Sequence, residues 1–87
     1  MERLKAADRE AGVEEVPLTD AQKASIAEAR AVASARLAER EILFRDALRK
    51  VHDPAEREKA EEEYRIDRSR LEADRDRAID RIRRGEG

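Results

Sequence analysis

Apolar and small residues recur along the first half of the chain at steps of mostly three and four, through Leu18, Ile26, Ala29, Ala33, Leu37, Phe44, Ala47, Leu48 and Val51. Two polar residues, Gln22 and Arg40, occupy positions in the same stripe. A three-to-four period marks one face of an α-helix, and no Gly or Pro interrupts it between Thr19 and Val51. The early part of this stripe is built from alanines, which let a partner helix approach closely, whereas Ile42, Leu43, Phe44 and Leu48 make the later part bulkier. A second helical run follows, with a sparser seam of Ala60, Tyr64, Leu71, Ala78 and Ile82, and Ile66, Ala73 and Ile79 beside it. Asp67, Arg68, Asp74 and Arg75 fall where a strict coiled coil wants apolar residues.

Cap chemistry sets the limits of both runs. Thr19-Asp20-Ala21-Gln22 has the form of a capping box, Thr19 as N-cap and Gln22 at the reciprocal position, with Asp20 adding negative charge where the helix dipole favours it. Arg49 and Lys50 place positive charge at the other end. Asp53 then serves as a second N-cap, Pro54 fits the first helical position, and Glu56 stands where it can reach back to the cap amide. These signals predict a helix over 19–51, a tip at 52–54 and a helix over 54–84, stopped by Gly85-Glu86-Gly87. A connection this short forces the helices antiparallel. The expected fold is all-α, an antiparallel two-helix coiled-coil hairpin over 19–87, preceded by an arm over 1–18. That arm holds a short helix over 1–12, closed by Gly12, and a linker containing Pro17.

The two helices are unequally apolar. Nine large apolar residues lie between Leu18 and Val51, against five between Tyr64 and Ile82. The surplus predicts a partner-facing surface around Ile42, Leu43, Phe44 and Tyr64, with Tyr64 packing in the seam, used either for a homodimer or for another protein.

Composition narrows the classes of function. Of 87 residues, 48% are charged, but 20 basic residues nearly balance 22 acidic ones, for a net charge of −2. Long exposed helices suit such a composition better than a compact globule. Near-neutrality argues against direct nucleic-acid binding, which needs a basic face to displace counterions. Arg75, Arg77, Arg81, Arg83 and Arg84 do cluster, but Asp74, Asp76 and Asp80 interleave with them, so a self-paired solvated face is expected. There is no Cys, and His52 stands alone, so neither a resident metal nor a cofactor is expected. The chain has no Gly-rich phosphate loop and no Ser-His-Asp or Cys-His set, so no catalytic residues are assigned and an enzyme acting alone is not expected. No apolar run is long enough for a membrane span, and the first residues lack a signal-peptide core, so a cytoplasmic location is expected.

One candidate for chemistry remains, at the tip. Asp53 and Glu56 are carboxylates three residues apart at a chain reversal, flanked by Arg57, and could share a hard cation such as Mg²⁺ with ligands from a partner. Helix capping accounts for the same residues without any partner. The run Asp53 to Tyr64, DPAEREKAEEEY, resembles the tip and descending helix of the DksA/TraR family of bacterial transcription factors. That family carries an Asp-Pro-x-Asp-Arg-Ala turn and, in register, a Glu-Glu-Glu-aromatic run; Asp53, Pro54, Arg57, Glu61, Glu62, Glu63 and Tyr64 match it. Glu56 stands in place of the second Asp, Glu58 in place of Ala, and the four zinc cysteines are missing. The resemblance implies a bare coiled coil, without the zinc module, that inserts into the secondary channel of RNA polymerase. It would place its acidic tip near the catalytic Mg²⁺ and alter promoter-complex lifetime without catalysing a reaction. The Gre-type cleavage factors share this plan, and Glu63-Tyr64 followed by Arg68 is similar to their descending helix. A separate resemblance lies in Leu18-Thr19-Asp20-Ala21-Gln22, which matches the LTxxQ motif of the Spy/CpxP family of helical periplasmic chaperones and metal-stress proteins. A structural or assembly coiled coil is the alternative function.

Overall fold

The computed structural model describes residues 17–85, so the helix expected over 1–12, most of the linker after it, and Glu86-Gly87 lie outside the described residues. Two helices make up the fold, α1 (Asp20–Lys50) and α2 (Pro54–Arg83), packed against each other as an antiparallel all-α hairpin. Both begin and end within a residue of the limits predicted from the caps.

Backbone chemistry explains each boundary. Thr19 lies in extended backbone, its hydroxyl accepts from the Gln22 amide at 3.0 Å, and the Gln22 carboxamide oxygen accepts from the Thr19 amide at 2.8 Å. Both halves of the predicted capping box are therefore closed, which satisfies two of the amides a helix start leaves bare. At the other end of α1, Val51 is extended and its amide donates to the Leu48 carbonyl at 3.4 Å. Only Val51, His52 and Asp53 separate the helices. Asp53 precedes Pro54, whose ring disfavours helical backbone at the residue before it, and its φ of −89° and ψ of 127° are extended as that clash requires. At the end of α2, Gly85 takes a φ of +81°, the left-handed conformation that terminates helices, and its amide donates to the Ile82 carbonyl at 3.0 Å.

The seam between the helices is thin. Ile26, Ala33 and Ile79 are the buried apolar residues, at 7%, 6% and 8% exposure, and no described side chain is completely enclosed. Ile79, expected beside the main seam, is thus its best-buried member on α2, while Ile66 stays exposed. All three buried residues lie in the half of the hairpin remote from the tip. The alanine-rich start of α1 keeps the helices close enough there to exclude water from two isoleucines.

Polar residues in the two stripes find each other. Arg40 of α1 pairs across the seam with Asp67 of α2, so two residues that each break a hydrophobic pattern form one polar layer. Elsewhere the charges are paired along the helices: Arg45 with Glu41 at 2.6 Å, Arg68 with Glu72 at 3.2 Å, and Arg84 with Asp80. Glu61 pairs with Arg57 at 3.5 Å and Arg65 with Glu62 at 2.6 Å, although a Glu61–Arg65 pair at the same helical spacing was equally available to the sequence. Such exposed pairs are worth a few tenths of a kcal/mol each, roughly 0.2–0.5, and support helix rather than fold.

Candidate functional site

The site the sequence singles out is the tip, and the fold presents it at the end of the rod. Every residue from His52 to Lys59 is exposed. Asp53 acts as N-cap through one side-chain oxygen, which accepts from the Ala55 amide at a long 3.4 Å. The reciprocal bond expected from Glu56 to the Asp53 amide is not made. Pro54 occupies the first helical position, and the Asp53 carboxylate alone caps this start. Glu56 has no hydrogen bond or ion pair among the described residues and projects into solvent from the first turn of α2. Arg57 is ion-paired with Glu61 at 3.5 Å. One tip carboxylate thus makes a single long hydrogen bond, and the other makes no hydrogen bond or ion pair.

The residues expected to face a partner divide into two pairs. Ile42 and Leu43 are 66% and 52% exposed, the two most exposed large apolar residues described. Phe44 and Tyr64 instead face each other, their rings nearly parallel at 5° with centroids 4.2 Å apart, and both are half-buried in the seam. An aromatic stack of this kind contributes about 0.5–1.5 kcal/mol beyond area burial. The Arg68 guanidinium lies 5.9 Å from the Tyr64 ring centre, at the outer limit for a cation–π contact. Phe44 and Tyr64 therefore spend their faces holding the two helices together.

At the opposite end, Gln22 does more than the sequence pattern suggests. Its oxygen closes the Thr19 box while its Nε2 donates to the Ile82 carbonyl of α2 at 2.9 Å. Ile82 thus accepts from both Gln22 and Gly85, which uses both lone pairs of a carbonyl that the end of α2 would otherwise leave unsatisfied. A Glu in the box could accept from Thr19 but could not donate to Ile82. The signal for this contact was available in the choice of Gln over Glu, but only the fold shows where its second function points. The LTxxQ-like run has a full structural use: Leu18 is half-buried, Thr19 caps α1 and Gln22 ties the base.

The arginine-rich end of α2 is paired in part, Arg75 with Asp76 at 3.0 Å, Arg77 with Asp74, and Arg84 with Asp80, while Arg81 and Arg83 make no ion pair among the described residues. His52 is exposed at the turn. Among the described residues, no three His, Cys, Asp or Glu side chains come together in a way that would hold a metal ion. No described helix is long and apolar enough to cross a membrane.

Compared with known proteins, the chain matches no protein-family model, no curated protein and no solved structure.

Proposed function

We propose that this chain is a non-enzymatic regulator that presents the Asp53–Glu56 tip of its hairpin to a protein partner, with RNA polymerase as that partner. The observation that carries the reading is Glu56, an exposed carboxylate in the first turn of α2 that makes no hydrogen bond or ion pair, beside an Asp53 whose side chain makes only a long cap contact. The charge of Glu56 suits the positive end of the α2 dipole, as that of Asp20 suits α1, but no contact within the hairpin holds the side chain. The resemblance of DPAEREKAEEEY to the tip of the DksA/TraR family supplies the identity of the partner and the bacterial cytoplasm as the setting.

Titrating labelled hairpin with bacterial RNA polymerase core enzyme tests this. Asp53→Asn combined with Glu56→Gln keeps a competent cap, since Asn caps as well as Asp, and removes both charges. Binding is expected to weaken at least tenfold with helicity unchanged, the scale on which a charge desolvated at an interface matters. Equal binding by wild type and variant overturns the tip's role, and no binding by either overturns polymerase as the partner.

A second reading, a structural or assembly module, draws on the exposure of Ile42 and Leu43. Under it the tip variant behaves as wild type, and Leu43→Ala is the change that disrupts the interaction.

A further inference from the structure

Two shallow grooves run along one face of the hairpin, end to end between α1 and α2. Val32 and Leu43 stand exposed on the α1 side of this face, at 39% and 52%. Alanines line part of both grooves, Ala47 and Ala60 in one and Ala29, Ala33 and Ala78 in the other. The charges lining this face differ between the helices. The α1 side contributes Arg36 and Arg40, and the α2 side contributes Glu63, Asp67 and Asp74 together with Arg75, Asp74 being paired with Arg77 of its own helix. Arg75, which borders both faces of the hairpin, is paired with Asp76. Arg36 and Glu63 have no ion-pair partner among the described residues.

From this pattern we infer that the face is covered by a second copy of the chain, forming a four-helix bundle with both tips at the same end. Charge complementarity selects the arrangement. A two-fold axis parallel to the helices lays α1 of one protomer over α2 of the other, basic on acidic, twice per dimer. A two-fold axis across the helices would instead lay α1 on α1, placing arginines against arginines. Either axis makes every neighbouring helix antiparallel, the usual arrangement of such bundles, so the charges alone distinguish them. Because that axis preserves height along the rod, residues that line one groove within a chain meet across the dimer. Taking the Arg40–Asp67 pair as the common level, Arg36 and the partner's acidic position 74 differ by three residues, or about 5 Å in height, within the reach of an arginine. The opposite face lacks this complementarity, since its central groove has Arg30 with Glu41 on α1 and Arg68 with Arg75 on α2. The dimer leaves Asp53 and Glu56 uncovered. It is independent of the polymerase reading, because Arg36 lies 17 residues, or about 25 Å, from Asp53 along the helix.

A charge exchange between Arg36 and Asp74 tests the dimer. Arg36→Glu in one chain and Asp74→Arg in another each set like charges against each other at two symmetry-related contacts, whereas a mixture of the two chains restores both pairs. Sedimentation is expected to show a wild-type dimer, association weakened at least tenfold toward monomer in each variant alone, and recovery in the equimolar mixture. Circular dichroism on each variant establishes that it remains helical. A wild type that stays monomeric to roughly 1 mM overturns the proposal, as does a mixture of helical variants that fails to associate. A second measurement needs no change to the interface. The chain lacks cysteine, so His52→Cys gives one spin label per protomer at the exposed turn. Label separations within about 30 Å support tips at one end, and separations of about 45 Å or more, the length of the rod, overturn it.

Discussion

The two ends of the hairpin use the same kind of helix start for different purposes. At the base, the box of Thr19 and Gln22 is closed in both directions and then extended by Gln22 to the last turn of α2, near buried Ile79 and half-buried Ile82. At the tip, Asp53 makes one long bond, Glu56 makes none, and the eight residues from His52 to Lys59 are all exposed. The difference teaches that bulk along the stripe does not decide where the structure is tight. Large residues crowd the tip half of α1, yet Ile42 and Leu43 end up in solvent, while the alanine-rich half encloses Ile26 and Ile79. Burial needs close approach of the backbones, and small residues supply that.

The comparison is broken most severely by emptying the base. Ile26→Ala and Ile79→Ala each remove most of a side chain that is under a tenth exposed, in a seam with few other buried groups. Each is expected to cost about 2–4 kcal/mol, and because a domain of this size loses roughly 4–8 °C per kcal/mol, thermal unfolding followed by circular dichroism reads the effect easily. Ile66→Ala, on the same helix as Ile79 but 43% exposed, is the control and is expected to stay within about 0.5 kcal/mol of wild type. Equal losses at Ile79 and Ile66 would show that the base is no tighter than the rest.

Gln22→Glu sharpens the comparison at smaller amplitude and with a diagnostic sign. In an isolated capping box Glu serves as well as Gln, so a box acting alone predicts no loss. Here the substitution keeps the acceptor for Thr19 but replaces the donor to Ile82 with a carboxylate at the negative end of the α2 dipole. An expected destabilisation of about 1–2 kcal/mol follows, largest at low salt and relieved as the carboxylate is protonated. Chemical denaturation at two pH values checks it. The equivalent exchange at the tip, Glu56→Gln, touches no partner in the fold and is expected to change stability by less than about 0.5 kcal/mol.

Much of the fold was legible because caps and period act locally. Thr19, Gln22, Asp53, Pro54 and Gly85 mark three of the four helix ends within a residue, and each does so through atoms no more than four positions away. What pairs across the seam was not legible in the same way. Arg40 and Asp67 each looked like an interruption of its own stripe, and only the antiparallel register, in which Phe44 also meets Tyr64, brings the interruptions together. The same register turned Phe44 inward and left its neighbours Ile42 and Leu43 outward, since adjacent residues on a helix lie about 100° apart and cannot all face one partner. At the candidate site the residue types were readable and their employment was not: the sequence pattern of a box is present at Asp53 and Glu56, but only the Asp53 half of it is made.

The smallest effect concerns how the tip half of α1 is held without a core. Asp46 accepts from Arg49 at 2.8 Å and pairs with Lys50 at 3.0 Å, a cluster in the last turn and a half of the helix. The hydrogen bond and charge of Lys50, with a further contribution from Arg49, hold the Asp46 carboxyl below the usual carboxylate range. A carboxylate whose folded pKa lies below its unfolded value binds fewer protons when folded, so its contribution is present at neutral pH. That contribution fades as pH falls from the ordinary aspartate value through the lowered one. The cluster is solvent-exposed and screened, so the loss should appear as local fraying and not as global unfolding. Amide exchange at Ala47 to Val51 is expected to quicken on acidification through that window while exchange around Ile26 and Ile79 holds. Lys50→Gln should return the Asp46 midpoint, followed by carboxyl NMR, towards the ordinary value. If exchange at the base quickened in step with the tip, the two ends would be one cooperative unit, and the contrast between a tied base and a free tip would not survive.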